Sequence, residues 1–497
     1  TLYNARQMLG GMTLRDKRPR EAEAHFRMLL EVPEWVSAGH VGLGDVARAE
    51  ERDEDAVGAY RSALAIDPVQ SMPVRALAWS LARLGRRDEA IAAYDQYLAL
   101  APHDYEVRTA RADLLMVLGR LPAAATDWRA LAEQNPADLQ AHSRLAMIEE
   151  HLGRLNVADT EAQLVLRSRP EDQEMLLVRV RTLLREHDDI GARRLLDQMA
   201  QRPLTVGQQR LQWNYLGRIH DRAGNAEEAV RCFSEAQRDS EFAMPRLDVP
   251  RPELEAALEE PVGAKWAHAP VLLIGTPGSG VERVAALLAD QPEFAVLRDR
   301  IGTLKRVDDF NQPRFPYYCG DLSEADREAL RERYLGPLRV AGIPLDRTLI
   351  DWLPRWDAHL LALIRRAMPG TRLVVVERDP RDALVNWLAF GWARGFPCAD
   401  VDSSAAWLER ASMHLQHVSR LSEPARIVVA ADALLDDPAL HGAELARFLG
   451  LDELRVGPQS GAMAKGLGGL PVRFPAGHWK NYRDVLAVPF ASLEARA

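Results

Sequence analysis

The sequence predicts a two-domain protein of the α plus α/β type. An all-α solenoid of helix pairs is expected over residues 1–240, a linker over 241–268, and a three-layer α/β domain with a parallel sheet over 269–497. Three observations predict it. Aromatic residues, prolines and glycines recur on a 34-residue beat in the first half. Prolines then break up a charged stretch just after residue 240. Beyond it, short apolar runs rich in β-branched residues end in polar turns and lead into helical patterns, which is how buried parallel strands joined by helices read.

Length and composition agree with that division. At 497 residues the chain is too long for one compact core. Hydrophobic residues at 47% and charged residues at 27% are ordinary for a globular protein. A net charge of −9 argues against a general nucleic-acid binder. Cys232, Cys319 and Cys398 lie far apart and form no metal-ligand pattern. Neither a disulfide framework nor a bound metal is therefore expected, and a reducing, cytoplasmic compartment is. No run of about 18 apolar residues suggests a membrane span, and "TLYNARQMLG" lacks the apolar core of a signal peptide. Oligomeric state is not readable.

In the first domain, Phe26, Tyr60, Tyr94 and Trp128 each stand 34 positions after the last. Pro68, Pro102, Pro136 and Pro170 keep the same spacing, as do Gly85, Gly119 and Gly153. The clearest unit is "GRRDEAIAAYDQYLALAP": glycine ends one helix, alanine and aromatic residues pack the next, and proline closes it. This resembles the tetratricopeptide repeat, whose period and A-x-x-x-F…P pattern it carries. After Pro170 the beat weakens, and "DDIGARRLLDQMAQRP" and "AGNAEEAVRCFSEAQ" read as two degenerate units, giving six or seven helix pairs. The aromatic series is expected to be inter-helix core. The resemblance implies a concave face that binds a peptide or protein.

The linker "FAMPRLDVPRPELEAALEEPVGAKWAHA" carries Pro245, Pro250, Pro252 and Pro261. The α/β reading begins at "VLLIGTPGSGVERVAALLADQP", an apolar strand, a glycine-rich turn and an amphipathic helix. Gly275 and Gly280 have the spacing of the G-x-x-x-x-G-K-[ST] nucleotide loop, but Val281 and Glu282 replace its lysine and hydroxyl. Backbone N–H groups from Ser279 onward are expected to face an oxyanion, helped by the helix dipole. Two further strands are expected at "RLVVVE" (372–377) and "RIVVA" (426–430). The first runs into Arg378-Asp379-Pro380-Arg381-Asp382, which places arginines suited to phosphate at a strand's carboxyl end. Alternatively, Asp379 and Asp382 neutralise those arginines in a salt-bridged turn. The tail "PVRFPAGHWKNYRDVL" adds Arg473, Gly477, Trp479 and Lys480. Trp479 suits either stacking on a base or the core.

Together these elements resemble the sulfotransferases that use 3′-phosphoadenosine-5′-phosphosulfate (PAPS), in particular the protein-tyrosine type, over about residues 269–490. The resemblance implies a three-layer, P-loop-like sulfotransferase domain holding PAPS or adenosine-3′,5′-bisphosphate without a metal. Pro277, Gly278, Ser279 and Gly280 match the family's P-[RK]-[ST]-G-T-[ST] loop for the 5′-phosphosulfate, flanked by Gly275 and Val281. Arg378 falls in the family's 3′-phosphate motif, with Arg473 assigned to the same phosphate. Asn386 stands where the family has a serine, and Gly477, Trp479 and Lys480 match the segment that closes over the nucleotide. Asp299 falls where relatives place the catalytic base. The acceptor implied is a hydroxyl, such as a tyrosine of a peptide or protein presented by the repeats.

The match has departures. Gly278 replaces the loop cation, Val281 and Glu282 replace two threonines, and Trp352 replaces the lysine of a D-K-x-P segment. Sulfuryl transfer needs cations beside the leaving oxygen, so Gly278→Arg, Trp352→Lys and Glu282→Thr are expected to return them together with a hydroxyl. Three functions follow as possibilities: a PAPS-dependent sulfotransferase, a sulfotransferase-fold binding scaffold that has lost the chemistry, or a nucleotide hydrolase using Glu377 for a metal.

Overall fold

The structure is a computed structural model. It describes residues 2–238, 244, 246–247, 249, 263–297, 322–392, 396–398, 400–419 and 425–494. By compactness the chain divides into two units, Thr1–Thr182 and Leu183–Ala497.

Seven helix pairs follow one another along the first half. They are α1 (Leu2–Arg15) with α2 (Pro19–Arg27), α3 (Val36–Ala49) with α4 (Asp53–Ile66), α5 (Ser71–Arg83) with α6 (Arg87–Leu100), and α7 (Tyr105–Val117) with α8 (Leu121–Gln134). Next come α9 (Leu139–His151) with α10 (Leu155–Ser168), α11 (Gln173–Arg185) with α12 (Asp189–Met199), and α13 (Val206–Arg222) with α14 (Ala226–Gln237). Each pair needs a sharp reversal, and Gly85, Gly119 and Gly153 supply it with φ of +77°, +69° and +74°. The same left-handed position is held by Lys17, Glu51 and His187, at φ of +58°, +59° and +62°. The 34-residue beat therefore extends over turns whose glycine the sequence has lost. Asp104 and Asp138 cap α7 and α9 by accepting backbone N–H bonds.

The aromatic series is core, as expected: Phe26, Tyr60, Tyr94 and Trp128 are all buried. Phe26 packs where a Cβ on Gly42 would stand, and Tyr60 where one on Gly44 would stand, so small residues on one helix seat large ones on the next. A second, polar seam runs through this unit. Asp127 is fully buried and takes Arg108 at 3.1 Å and Arg111 at 2.5 Å, while Arg181 pairs with Glu150 at 2.6 Å with both side chains buried.

Among the described residues of the second unit, five parallel strands form one sheet in the order β2-β3-β1-β4-β5. They are β1 (Val271–Gly275), β2 (Phe294–Leu297), β3 (Thr348–Trp352), β4 (Arg372–Glu377) and β5 (Ala425–Ala430). Val271 pairs with Ile350 on one side and Arg372 on the other. Helices cover both faces. Leu272, Ile274 and Val375 pack with α16 (Glu324–Val340) and α17 (Ala358–Ala367), and Leu273, Val374 and Val376 pack with α15 (Val281–Ala289). Burial on both faces is why the strands read as continuous apolar runs.

A further core gathers around α18 (Pro380–Phe390) and α19 (Val401–Ser419), where Trp387, Trp407, Trp479 and Phe490 meet Phe233 of α14. The other described α-helices of the unit are α20 (Ala431–Asp436), α21 (Pro438–His441), α22 (Ala443–Leu449), α23 (Pro458–Ala464) and α24 (Ala487–Glu494). The described cysteines Cys232 and Cys398 are free and buried, and Cys319 lies outside the described residues.

Candidate functional site

The sheet order sets the place. From β1 the chain goes to β2 and β3 on one side, then crosses to β4 and β5 on the other. The carboxyl ends of β1 and β4 therefore flank a switch point, where ligands of open α/β sheets enter. The Gly275 loop follows β1 and the Arg378 motif follows β4.

The loop is tightly built. A Cβ on Gly275 would stand 2.7 Å from Ser279 Oγ and 3.1 Å from the Val376 carbonyl, and the Trp356 indole N–H donates to the Gly275 carbonyl at 3.0 Å. Pro277, Ser279, Gly280 and Val281 are buried. The Ser279 N–H closes a turn on the Thr276 carbonyl at 3.1 Å, so it is already engaged, contrary to expectation. The N–H groups of Val281 and Glu282, at the start of α15, have no intrachain partner among the described residues.

Gly278 corrects a second expectation. Its φ is +75°, and a Cβ there would fall 2.0 Å from the Ala383 carbonyl oxygen and 2.9 Å from the Trp387 nitrogen. The loop rests directly on α18, so Gly278→Arg does not simply return a cation. Trp352 is likewise 9% exposed and part of the core beneath α15. A lysine there would bury an ammonium.

Arg378 and Arg473 do come together, but around a carboxylate. Asp432 takes Arg378 at 2.9 Å and Arg473 at 2.6 Å; Arg473 also pairs with Asp436, and Arg378 donates to the Phe474 carbonyl at 2.7 Å. Arg381 makes two bonds to Asp379 at 3.0 and 2.7 Å, meets Glu494 at 2.5 Å and lies 3.7 Å over the Trp479 ring. Its Asp379 hydrogen bond raises the Arg381 pKa. The salt-bridged turn thus describes Arg381, while Asp382 does something else: it accepts the N–H groups of Gly477 at 2.6 Å and Trp479 at 2.9 Å. Asn386 accepts from the Phe474 N–H at 2.9 Å and donates to the Asp382 carbonyl at 2.8 Å. Trp479 is buried, Lys480 is exposed, and Glu377 is exposed at the end of β4. Asp299 lies outside the described residues.

The sequence reading missed Arg283. It follows Glu282 in the first turn of α15, donates to the Val472 carbonyl and lies 3.7 Å from Glu282. Burial lowers its pKa, opposed by Glu282 and reinforced by Arg473 and Arg378. With Arg210, Arg218 and Trp392 it lines a cavity of about 650 Å³ that also reaches Gly278, Glu282, Trp352 and Asn386. No local motif marks these residues, since Arg210 and Arg218 sit on α13, which lies between the two segments that read as degenerate repeats. Elsewhere, His220, Glu228 and Cys232 bring ligand atoms within 4.8 Å of one another. Arg193 stands 3.2 Å from His220 and Arg231 pairs with Glu228 at 2.6 Å, so cations already occupy that group's surroundings.

None of the described helices is long and apolar enough to cross a membrane. The tetratricopeptide-repeat family model matches residues 75–128 and 109–172. No curated protein matches the chain. Among solved structures, a tetratricopeptide repeat protein from Parabacteroides merdae ATCC 43184 is similar at 17% identity over 48% of this chain and 92% of that one, with a TM-score of 0.32. PilF of Pseudomonas aeruginosa is similar at 18% identity over 41% and 92%, TM-score 0.32. YrrB, described as a TPR protein with an unusual peptide-binding site, is similar at 18% identity over 34% and 88%, TM-score 0.29. The chain thus carries tetratricopeptide repeats in its first half, followed by a parallel five-stranded sheet in its second.

Proposed function

We propose that the protein is a binding scaffold, in which the repeats capture a peptide or protein and the C-terminal domain has a sulfotransferase-like fold that turns over poorly or not at all. The repeat match carries the first half of this reading, because stacked helix pairs present an extended concave surface suited to a protein partner. Three features support the second half. Gly278 leaves no room for the loop cation, Trp352 replaces the family lysine with a buried indole, and Arg378 and Arg473 share Asp432. Removing one positioned donor from such a site costs roughly 3–4 kcal/mol of transition-state stabilisation. Two buried free cysteines and the absence of a membrane-spanning helix among the described residues suit a cytoplasmic setting.

The second reading is a live PAPS-dependent transfer to a hydroxyl on the captured partner, with Asp299 as base. One observation favours it: a glycine-rich loop and an arginine motif follow neighbouring strands at the switch point of the sheet. PAPS or adenosine-3′,5′-bisphosphate would then lie between Gly275–Val281, Arg378 and Arg473.

A peptide array and a transfer assay on the same full-length chain separate the two. Saturable binding to a subset of peptides, with sulfate transfer from PAPS far below the ~1–10³ s⁻¹ of ordinary enzymes, is the expected result. Transfer at an ordinary rate overturns the scaffold reading. Calorimetry with adenosine-3′,5′-bisphosphate in the absence of magnesium, beside ATP with magnesium, tests the nucleotide site itself.

A further inference from the structure

We infer that His220, Glu228 and Cys232 form a zinc site that clips α13 to α14. The inference goes beyond both readings above, neither of which uses a metal, and none of the three residues lines the Gly278 cavity.

The two helices reverse at Gly224, whose φ is +75°. Glu228 and Cys232 stand four positions apart on α14 and so share one face, while His220 lies in the last turn of α13. The hairpin thereby brings a ring nitrogen, a carboxylate oxygen and the thiol sulfur within 4.8 Å of one another. Ligand atoms around a tetrahedral zinc ion stand about 3.3–3.6 Å apart, given bonds of about 2.0–2.3 Å. Small side-chain rotations close that difference. The donor set selects the metal. Magnesium and calcium take oxygen ligands, whereas imidazole, carboxylate and thiolate together suit the borderline-soft zinc ion. His220 and Glu228 are half-buried and open an entry from solvent, and Cys232 is the buried inner ligand. The thiol proton passes to water as the metal binds, and a water completes the fourth position. Cysteine spacing hides the group, because only one cysteine belongs to it.

The two neighbouring guanidiniums differ in role. Arg231 makes both of its bonds to Oε2 of Glu228, at 3.0 and 2.6 Å, which leaves Oε1 for the metal and orients the carboxylate from outside. Arg193 competes. It stands 3.2 Å from Nε2 of His220. If zinc takes Nε2, Arg193 must leave; if zinc takes Nδ1, Nε2 carries the proton and no longer accepts. Arg193 is 48% exposed and has Asp197 3.9 Å away, so its departure costs little.

The clip sits where α13 and α14 support the C-terminal core. Asp221, next to His220, accepts from the Tyr482 hydroxyl at 2.7 Å, and Phe233, next to Cys232, is fully buried among Trp387 and Trp479. Binding that holds the hairpin together therefore stabilises the folded second unit.

The test titrates cobalt(II), then zinc, into the full chain, reduced and free of any histidine tag. Cobalt should saturate at one ion per chain with a sulfur-to-metal charge-transfer band in the near ultraviolet, and zinc should displace it. Cys232→Ser should remove the band, and Glu228→Gln should weaken binding about tenfold or more. Arg193→Met should tighten it several-fold. Zinc should raise the thermal midpoint of the wild type and leave that of Cys232→Ser unmoved. Should Cys232→Ser fail to fold, the band in the wild type and the loss of affinity in Glu228→Gln still decide, since Glu228 is half-exposed. No charge-transfer band at millimolar cobalt, a band retained in Cys232→Ser, unchanged affinity in Glu228→Gln or weaker binding in Arg193→Met overturns the inference.

Discussion

Asp432 stands between Arg378 and Arg473, and its single charge limits what those arginines can offer an anion. Asp432→Asn keeps the shape and most of the hydrogen bonding while removing the charge. If a phosphate enters here, its affinity should rise, since each charge-assisted contact contributes about 1.5–3 kcal/mol. Calorimetry with adenosine-3′,5′-bisphosphate should show at least tenfold tighter binding in the variant. An unchanged affinity in a folded variant places these arginines away from any nucleotide. Gly278 is a structural matter of the same scale. Alanine there meets both a left-handed backbone and the Ala383 carbonyl 2.0 Å from its Cβ. The backbone term is about 1–2 kcal/mol and the overpacking about 1–3 kcal/mol. Gly278→Ala should therefore lose roughly 2–5 kcal/mol, read as a lower urea midpoint at constant slope. A loss under half a kcal/mol would mean the loop is free to lift off α18.

Among the elements, the repeat turns make the sharpest prediction. Lys17, Glu51 and His187 hold the left-handed position that glycine holds at Gly85, Gly119 and Gly153. Replacing any of the three with glycine should stabilise the protein by about 1 kcal/mol, while Gly119→Ala, with open space around its Cβ, should cost about as much. The buried acids predict the reverse kind of effect. Asp127→Ala removes the fully buried carboxylate that Arg108 and Arg111 share; because both arginines are partly exposed and Arg111 keeps Asp95, the change should cost about 1–3 kcal/mol by thermal or urea denaturation. These elements also show how far the sequence could be read. The repeats were legible because one local pattern recurs, and β1, β4 and β5 because each holds a short apolar run that includes β-branched residues. β2 was missed because it is four residues long, and β3 because Asp351 breaks its apolar run. That aspartate is fully buried and accepts from the Tyr334 hydroxyl at 2.9 Å, a partner 17 residues away that no local pattern announces. The site divides in the same way. The Gly275 loop and the Arg378 motif are contiguous and readable; the Arg283, Trp352 and Trp392 convergence exists only once β3, α15 and α18 are assembled.

At the scale of the whole chain, the change in sequence pattern and the compact units mark different places. The helical pattern ends near residue 240, yet the second compact unit begins at Leu183 and takes in α12, α13 and α14. Side chains explain why. Phe233 of α14 is fully buried in the cluster that holds Trp387 and Trp479. Asp221 of α13 accepts from the Tyr482 hydroxyl at 2.7 Å and is bonded to His478 at 2.8 Å. Gln237 donates to the Trp387 carbonyl at 3.0 Å and accepts from the Cys398 N–H at 2.9 Å, and Asn214 donates to the Ala389 carbonyl at 2.5 Å. A chain starting at residue 241 loses all of these and opens the core beside α18. Losing one buried Phe alone typically costs about 3–5 kcal/mol, against a total stability of about 5–15 kcal/mol for a domain. The fragment 183–497 should therefore unfold in one cooperative transition by calorimetry and circular dichroism, whereas 241–497 should aggregate or melt without a cooperative step. The two fragments also differ in the cavity, because Arg210 and Arg218 belong to α13. A cooperative transition for 241–497 at the midpoint of 183–497 would show that the last helix pairs merely rest on the α/β core and do not complete it.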